Sequence, residues 1–213
     1  MKLPVFSKLV FAAVAVAMAA VGLTACSGKG GCANSAIDNI MTRTSIRAYE
    51  PKKVEEVKVE QMLRAAMAAP TAINKQPWDF VVVDDPEILK ELADSLPNAR
   101  MVAGAPLAIV VCGNMQKAIE GEGRDNWIVD ASAATENLLL AAHSLGLGAV
   151  WTGVYPSEHR MAVVSGVLGL PSYVKPLSLV PVGYPAEAPQ PKDKWKPENV
   201  HSNGWGLKVF KGE

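Results

Sequence analysis

Arg43-Thr-Ser-Ile-Arg47 places two guanidinium groups around a hydroxyl. In an extended segment Arg43, Ser45 and Arg47 project to one side, because alternate residues of a strand share a face. Arg offers a fixed fork of donors that suits a phosphate or another anion. A second polar cluster follows at Pro70-Thr-Ala-Ile-Asn-Lys-Gln-Pro-Trp78. Pro70 ends a helical pattern and Pro77 sets the entry into a strand, so Thr71, Asn74, Lys75 and Gln76 fall on a loop between two rigid elements. Such a junction presents side-chain donors and acceptors together with backbone amides. On spacing alone, the arginine segment fits an anion site or a salt-bridged surface loop. The Pro70–Trp78 stretch fits a ligand-contacting loop or an ordinary helix–strand turn. Lys192 and Lys194 repeat the period-two cation spacing near the C-terminus, where they also fit plain solvated lysines.

The elements that must position these residues follow from periodicity. Val59, Met62, Leu63, Ala66 and Met67 line one face of a helix over about 55–69. Pro86 opens a second helix that runs to Leu96, with Ile88, Leu89 and Leu92 inward. Pro106–Cys112 reads as a buried strand, and the polar stretch 113–126 reads as a loop. The longest helix is expected over about 128–145. Ala131, Ala134, Leu138, Leu139 and Ala142 leave it little polar surface and make it the central core helix. Gly146-Leu-Gly148 ends it, and a strand is expected at 149–154. Ser157 caps a helix that runs to Leu168, with Glu158 in its first turn. Leu177–Val182 is a further strand. The proline-rich stretch from Tyr184 carries Trp195 and Trp205 and cannot form a core alone, so it is expected to lie along a second subunit. Strands and helices mix without a βαβ rhythm. The reading is α+β, a mainly antiparallel central sheet flanked by helices.

Composition narrows the function classes. The chain has 213 residues, 49% hydrophobic and 20% charged, enough for one sizeable core. Formal net charge is zero, and no basic-aromatic run is present, so no nucleic-acid partner is expected. There is no phosphate-binding G-x-x-x-x-G-K-[ST], no H-E-x-x-H and no G-x-S-x-G. Gly121-Glu-Gly123 lacks the third glycine of a dinucleotide fingerprint. His143, His159 and His201 have no metal-ligand spacing, and no C-x-x-C pair exists, so no metal site is expected. His143, on the core helix, reads as a hydrogen-bonded structural residue. Cys112, at the end of an apolar strand, reads as a buried core thiol.

The N-terminus is set apart. Lys2 and Lys8 precede an uncharged, Ala- and Val-rich stretch from Leu9 to Ala25. It reads as a secretory signal and is short and weakly apolar for a spanning helix. Leu23-Thr-Ala-Cys26 resembles a bacterial lipobox, which implies lipidation at Cys26. The expected organisation is a lipoprotein signal peptide at 1–25, a flexible tether at 26–34 and one domain at 35–213. Cys32 lies in the tether as a free thiol or one half of an intermolecular bond. A lipid anchor places the protein on a membrane surface in the cell envelope, periplasm-facing or on the outer surface.

Four blocks, in order, carry a family resemblance over roughly residues 35–205. They are Arg43–Arg47, Pro70–Trp78, Asn126–Gly153 (Asn-Trp-Ile-Val-Asp…Leu-Gly-Leu-Gly-Ala-Val-Trp-Thr-Gly), and Val182–Glu187 with Lys192-Asp-Lys194. Together they resemble the FMN-dependent nitroreductase family. The resemblance implies a homodimer with FMN at the subunit interface and a C-terminal tail wrapping the partner. Arg43, Ser45, Lys192 and Lys194 would hold the FMN phosphate. Arg47 would reach the pyrimidine edge and stabilise the reduced flavin, with Asn98 at the same edge. Pro70, Thr71, Ala72 and Asn74 of the other subunit would line the ring and ribityl chain. The backbone at Thr152 and Gly153 would approach flavin N5, and a glycine allows that approach.

The implied activity is an FMN oxidoreductase with no catalytic side chain. Hydride reaches N5, and two electrons then pass to a nitroaromatic, quinone or enone. Two departures bear on the substrate pocket: Thr152 where some family members carry an acid, and Met101 where some carry a Lys. An exported lipoprotein does not meet cytosolic NAD(P)H, so a quinol or a partner protein is an alternative donor. Two further readings stay open: an envelope lipoprotein that binds flavin without turnover, and a same-fold enzyme with other flavin chemistry.

Overall fold

The computed structural model describes residues 35–207. The expected signal peptide, tether, Cys26 and Cys32 lie outside the described residues. The larger compact unit of the chain begins at Ala36.

In chain order the elements are α1 Ser35–Thr42, α2 Glu56–Met67, β1 Trp78–Val83, α3 Pro86–Ser95, β2 Leu107–Asn114, α4 Asn126–Ser144, β3 Gly148–Ala149, β4 Thr152–Gly153, α5 Glu158–Leu168 and β5 Val174–Gly183. 3-10 segments lie at Ala72–Asn74, Pro97–Gly104 (kinked at Ala99), Gly121–Gly123 and Pro197–Asn199. The strands form one five-stranded sheet in the order β1-β2-β5-β3, with β4 also paired to β5. Every strand pairing is antiparallel. The antiparallel sheet flanked by helices is as expected.

Period-two alternation explains the layering. In β2, Leu107, Ile109 and Val111 join α2 and α4 in one core, whereas Ala108, Val110 and Cys112 join α3 and α5 in the other. With both faces covered, all eight residues of β2 are buried. A strand buried on both sides reads as a continuous apolar run rather than an alternating one. α4 lies in the first core with Trp127, Ala131, Ala134, Leu138, Leu139 and Ala142 buried. Truncating Leu138, which is fully buried, costs about 2–5 kcal/mol by lost transfer and cavity terms. Among the described residues no helix is long and apolar enough to cross a membrane.

Three expectations need correction. The strand expected at 149–154 is two short pieces, because Val150 and Trp151 leave the ladder between Ala149 and Thr152. Gly113 and Asn114 belong to β2 rather than to a loop: they pair with Lys175 and Val174 across a register shift after Val111. α4 starts at Asn126, two residues before the apolar pattern, where Asn126 Nδ2 donates to the Gly123 carbonyl at 2.8 Å. Helix α1 and the Pro97–Gly104 segment are additional to the expected elements.

Candidate functional site

The arginine segment is keyed into the sheet by the residue between its chemical groups. Ile46 is buried, its N–H donates to the Ala149 carbonyl at 3.1 Å, and Ser45 bridges Ala149 in parallel fashion. Gly148 makes room for it: a Cβ there would meet Ile46 Cβ at 2.6 Å. With Ile46 turned into the core, its neighbours Ser45 and Arg47 face the other way. Ser45 is half-buried and Arg47 exposed. The Arg43 side chain is 18% exposed, and its Nε lies 3.7 Å from Glu136 Oε1 on α4.

Two backbone amides of this arm, those of Arg47 and Ala48, donate to Glu187 Oε1 at 2.5 and 3.1 Å. Tyr49 donates its hydroxyl to the Ile46 carbonyl at 2.6 Å. Burial first, and then the Glu187 charge, push the Tyr49 phenol well above its ordinary range, with Arg47 opposing. The C-terminal segment starts beside the same arm. Glu50 N–H donates to the Tyr184 carbonyl and Ala186 N–H to the Ala48 carbonyl, at 2.8 and 2.9 Å. Lys192 and Lys194 follow from there and are exposed, with no hydrogen bond or ion pair among the described residues tying them to Arg43 or Ser45.

β4 continues the chain from β3. Thr152 is buried, its hydroxyl donates to the Leu179 carbonyl at 2.5 Å, and it pairs with Leu179 on β5. Val154 N–H donates to Leu177 on β5. Alternate extended residues direct their backbone groups to opposite edges, so Gly153 turns its own toward the outer edge of the sheet. There the Gly153 carbonyl accepts from Arg160 Nη1 at 3.1 Å and from Asn98 Nδ2 at 3.5 Å. A Cβ at Gly153 would meet only the Tyr155 carbonyl oxygen, at 4.0 Å, so the space in front of it is open.

The Pro70–Trp78 loop is held in an unusual backbone. Ile73, Asn74 and Gln76 have φ of 44°, 57° and 50°. Asn tolerates this region, but a β-branched Ile does not. Such strain persists only where surrounding contacts over-determine it. Those contacts are specific. Gln76 N–H donates to Thr71 Oγ1 at 3.1 Å, and Gln76 Nε2 to Asn74 Oδ1 at 2.9 Å. Ala72 N–H donates to Asp130 Oδ1 on α4 at 2.9 Å. Asp130 is 5% exposed, and its Oδ2 is buried without a hydrogen-bond partner among the described residues. Ile73 and Asn74 are exposed.

The fold therefore assembles two groups. Arg43, Ser45, Arg47, Asn98, Thr152 and Gly153 lie along the β3–β4 edge and its flanks. Pro70, Thr71, Ala72 and Asn74 form a separate, strained loop over the N-terminal part of α4. No hydrogen bond or ion pair among the described residues joins the loop to the arm. Sequence reasoning missed Asp130, Glu136 and Arg160. Asp130 had a signal, a lone carboxylate at core spacing between Trp127 and Ala134. Arg160 had one too, a cation in the first turn of a helix, where the dipole disfavours it. Near the arm, the His143 Nε2 lies 3.0 Å from Thr42 Oγ1. The Thr42 hydroxyl proton goes to the Asp38 carbonyl, so Nε2 carries the donated hydrogen. Burial, and secondarily the Arg43 charge, lower the His143 pKa. Among the described residues no group of three or more His, Cys, Asp or Glu is placed to hold a metal.

Comparison with known proteins agrees with this geometry. The family model described as "Nitroreductase family" matches residues 40–99 and 95–184. A protein of Methanothermobacter thermautotrophicus named "Putative NADH dehydrogenase/NAD(P)H nitroreductase" is 43% identical over 171 residues, 79% of this chain and 87% of the relative. A crystal structure of the same printed name from Bacteroides thetaiotaomicron is 46% identical with a TM-score of 0.77, covering 81% of this chain and 99% of that one. An FMN-dependent nitroreductase from Clostridium difficile is 31% identical with a TM-score of 0.73, covering 79% and 99%. The antiparallel sheet, the arm, the strained loop and the β4 edge all fall within the matched span, and this chain belongs to the nitroreductase family.

Proposed function

We propose that this chain is an FMN-dependent oxidoreductase that works as a homodimer and reduces a nitroaromatic, quinone or enone by two electrons. The observation that carries this reading is the β4 edge. Gly153 offers a backbone position with open space in front of it, while its carbonyl is held from the side. The residues present fit the cofactor. Arg43 and Ser45, at the start of the same run of backbone, would hold its phosphate, with Lys192 and Lys194 brought in by the tail. Arg47 and Asn98 would face the pyrimidine edge, and Thr152 and Gly153 would present backbone to the reacting edge of the ring. Pro70, Thr71, Ala72 and Asn74 of the second subunit would close the other side. Among the described residues no hydrogen bond or ion pair joins the strained loop to the arm, which supports completion of the site by a partner.

When bound, FMN supplies two-electron transfer through its ring. The protein's own part is to bind, orient and exclude water. Arg47 would place a cation where charge accumulates on reduction. Relatives named NAD(P)H nitroreductase and FMN reductase support NAD(P)H as the donor. The N-terminal sequence supports attachment to the envelope through Cys26, and in that compartment a quinol or partner protein would replace it.

Absorption spectra and FMN titration of the purified full-length chain test the reading. A yellow protein, or one that takes up added FMN, is expected. A colourless chain that takes up none sinks it. Arg43→Ala should lose the cofactor, and Arg47→Ala should keep it with a lowered reduction potential. A flavin that dithionite reduces but no donor reduces would leave binding without turnover.

A further inference from the structure

Resting on the FMN reading above, we infer that Arg160 is a positioning residue of the flavin site. It locks the Gly153 peptide at the outer edge of β4, and its charge favours the reduced cofactor. Three observations place it there. Arg160 Nη1 donates to the Gly153 carbonyl at 3.1 Å, shorter than the 3.5 Å contact from Asn98. Ser157 Oγ accepts from Arg160 N–H at 3.4 Å and Ser157 caps α5, so the residue springs from a fixed helix start. Arg160 is only partly exposed, and no carboxylate among the described residues pairs with it.

An extended residue sends its N–H and its carbonyl to the same edge. A group that accepts from Gly153 N–H would therefore sit on the Arg160 side of the strand. An unneutralised guanidinium so placed adds a positive potential that favours the net negative charge of the reduced ring as a whole, in a partly desolvated setting where screening is weak. The bond to the carbonyl acts independently of the charge. It holds the one glycine peptide of the site in a single orientation, although a residue without a Cβ would otherwise turn freely. Arg47 reaches the site from an exposed arm, so the two cations act from different elements.

Full-length wild type, Arg160→Lys, Arg160→Gln and Arg160→Ala would be compared for FMN dissociation constant and for midpoint potential of the bound cofactor. The Ala variant is expected to bind reduced FMN about tenfold more weakly relative to oxidised FMN than wild type does. That ratio corresponds to a fall of about 30 mV for a two-electron couple. Lys should restore the potential, because it keeps the charge. Gln should recover affinity for oxidised FMN, because it keeps a donor, but not the potential. If Ala fails to fold, the Lys and Gln pair decides the same question. A yellow wild type whose folded variants match it in potential and affinity overturns this inference alone. A wild type that takes up no FMN overturns both this inference and the function it rests on.

Discussion

Asp130 on α4 reaches across 58 positions of sequence to accept a hydrogen bond from Ala72 N–H at 2.9 Å, and so ties the core helix to the strained loop. The carboxylate is buried, and its second oxygen has no hydrogen-bond partner among the described residues. The loop keeps Ile73, Asn74 and Gln76 at positive φ, a conformation that relaxes once its anchor is removed. Asp130→Ala is expected to raise hydrogen exchange at residues 72–76 and to weaken FMN binding. The half-buried amide then loses its acceptor, at a cost of at most about 1–3 kcal/mol. Asp130→Asn keeps an acceptor at Oδ1 and should protect the loop amides much better. Equal exchange in both variants and wild type would remove the anchor role.

Gly153→Ala separates cofactor contact from folding. The new Cβ meets nothing of the chain nearer than 4.0 Å. Thermal stability should stay within roughly 0.5 kcal/mol of wild type, as for a surface substitution, while FMN affinity falls at least tenfold. Calorimetry beside FMN titration checks it. Unchanged affinity would mean that the β4 edge does not face the flavin.

Gly148→Ala should harm both stability and binding. Its Cβ would lie 2.6 Å from Ile46 Cβ. Overpacking of this kind costs about 1–3 kcal/mol, and the shift of Ile46 carries Ser45 and Arg47 with it. Denaturant unfolding and FMN titration should both register the change. Loss of stability with intact binding would detach the arm from the cofactor.

His143 has a lowered pKa in the folded chain, from burial first and the Arg43 charge second. The unfolded chain then binds the proton more readily. The stability due to His143 is present above its ordinary value of 6.5 and is lost as the pH falls below it. The melting temperature of His143→Gln should therefore depend less on pH between about 6.5 and 5. A slope identical to wild type would count against this assignment.

The Cys112 thiol is pushed up to about 12, chiefly by burial and then by the Asp79 charge. Native protein at pH 8 should leave Cys112 unalkylated, and unfolding should expose it, as peptide mapping would show. Because the folded value exceeds the ordinary 9.0, the native state holds this proton longer. The related stability is present below pH 9 and declines as the pH rises toward 12. Ready alkylation of the folded chain would contradict the buried position.

Much of this molecule is written in short-range pattern. Helical spacing located α2, α3 and α4 within two residues of their ends, Ser157 announced its helix, and the apolar run announced β2. These features are local because propensity, capping and periodicity act over a few residues. The arm, the loop and the Thr152–Gly153 edge were legible as residue types. Their relation was not. The break between β3 and β4 depends on which residues meet β5, and the positive φ of Ile73 depends on an anchor far along the chain. Asp130 and Arg160 look locally like a misplaced acid in a core helix and a cation at the wrong end of another. Only packing brings one to Ala72 and the other to Gly153, because burial makes a polar group seek whatever partner the fold sets within about 3 Å.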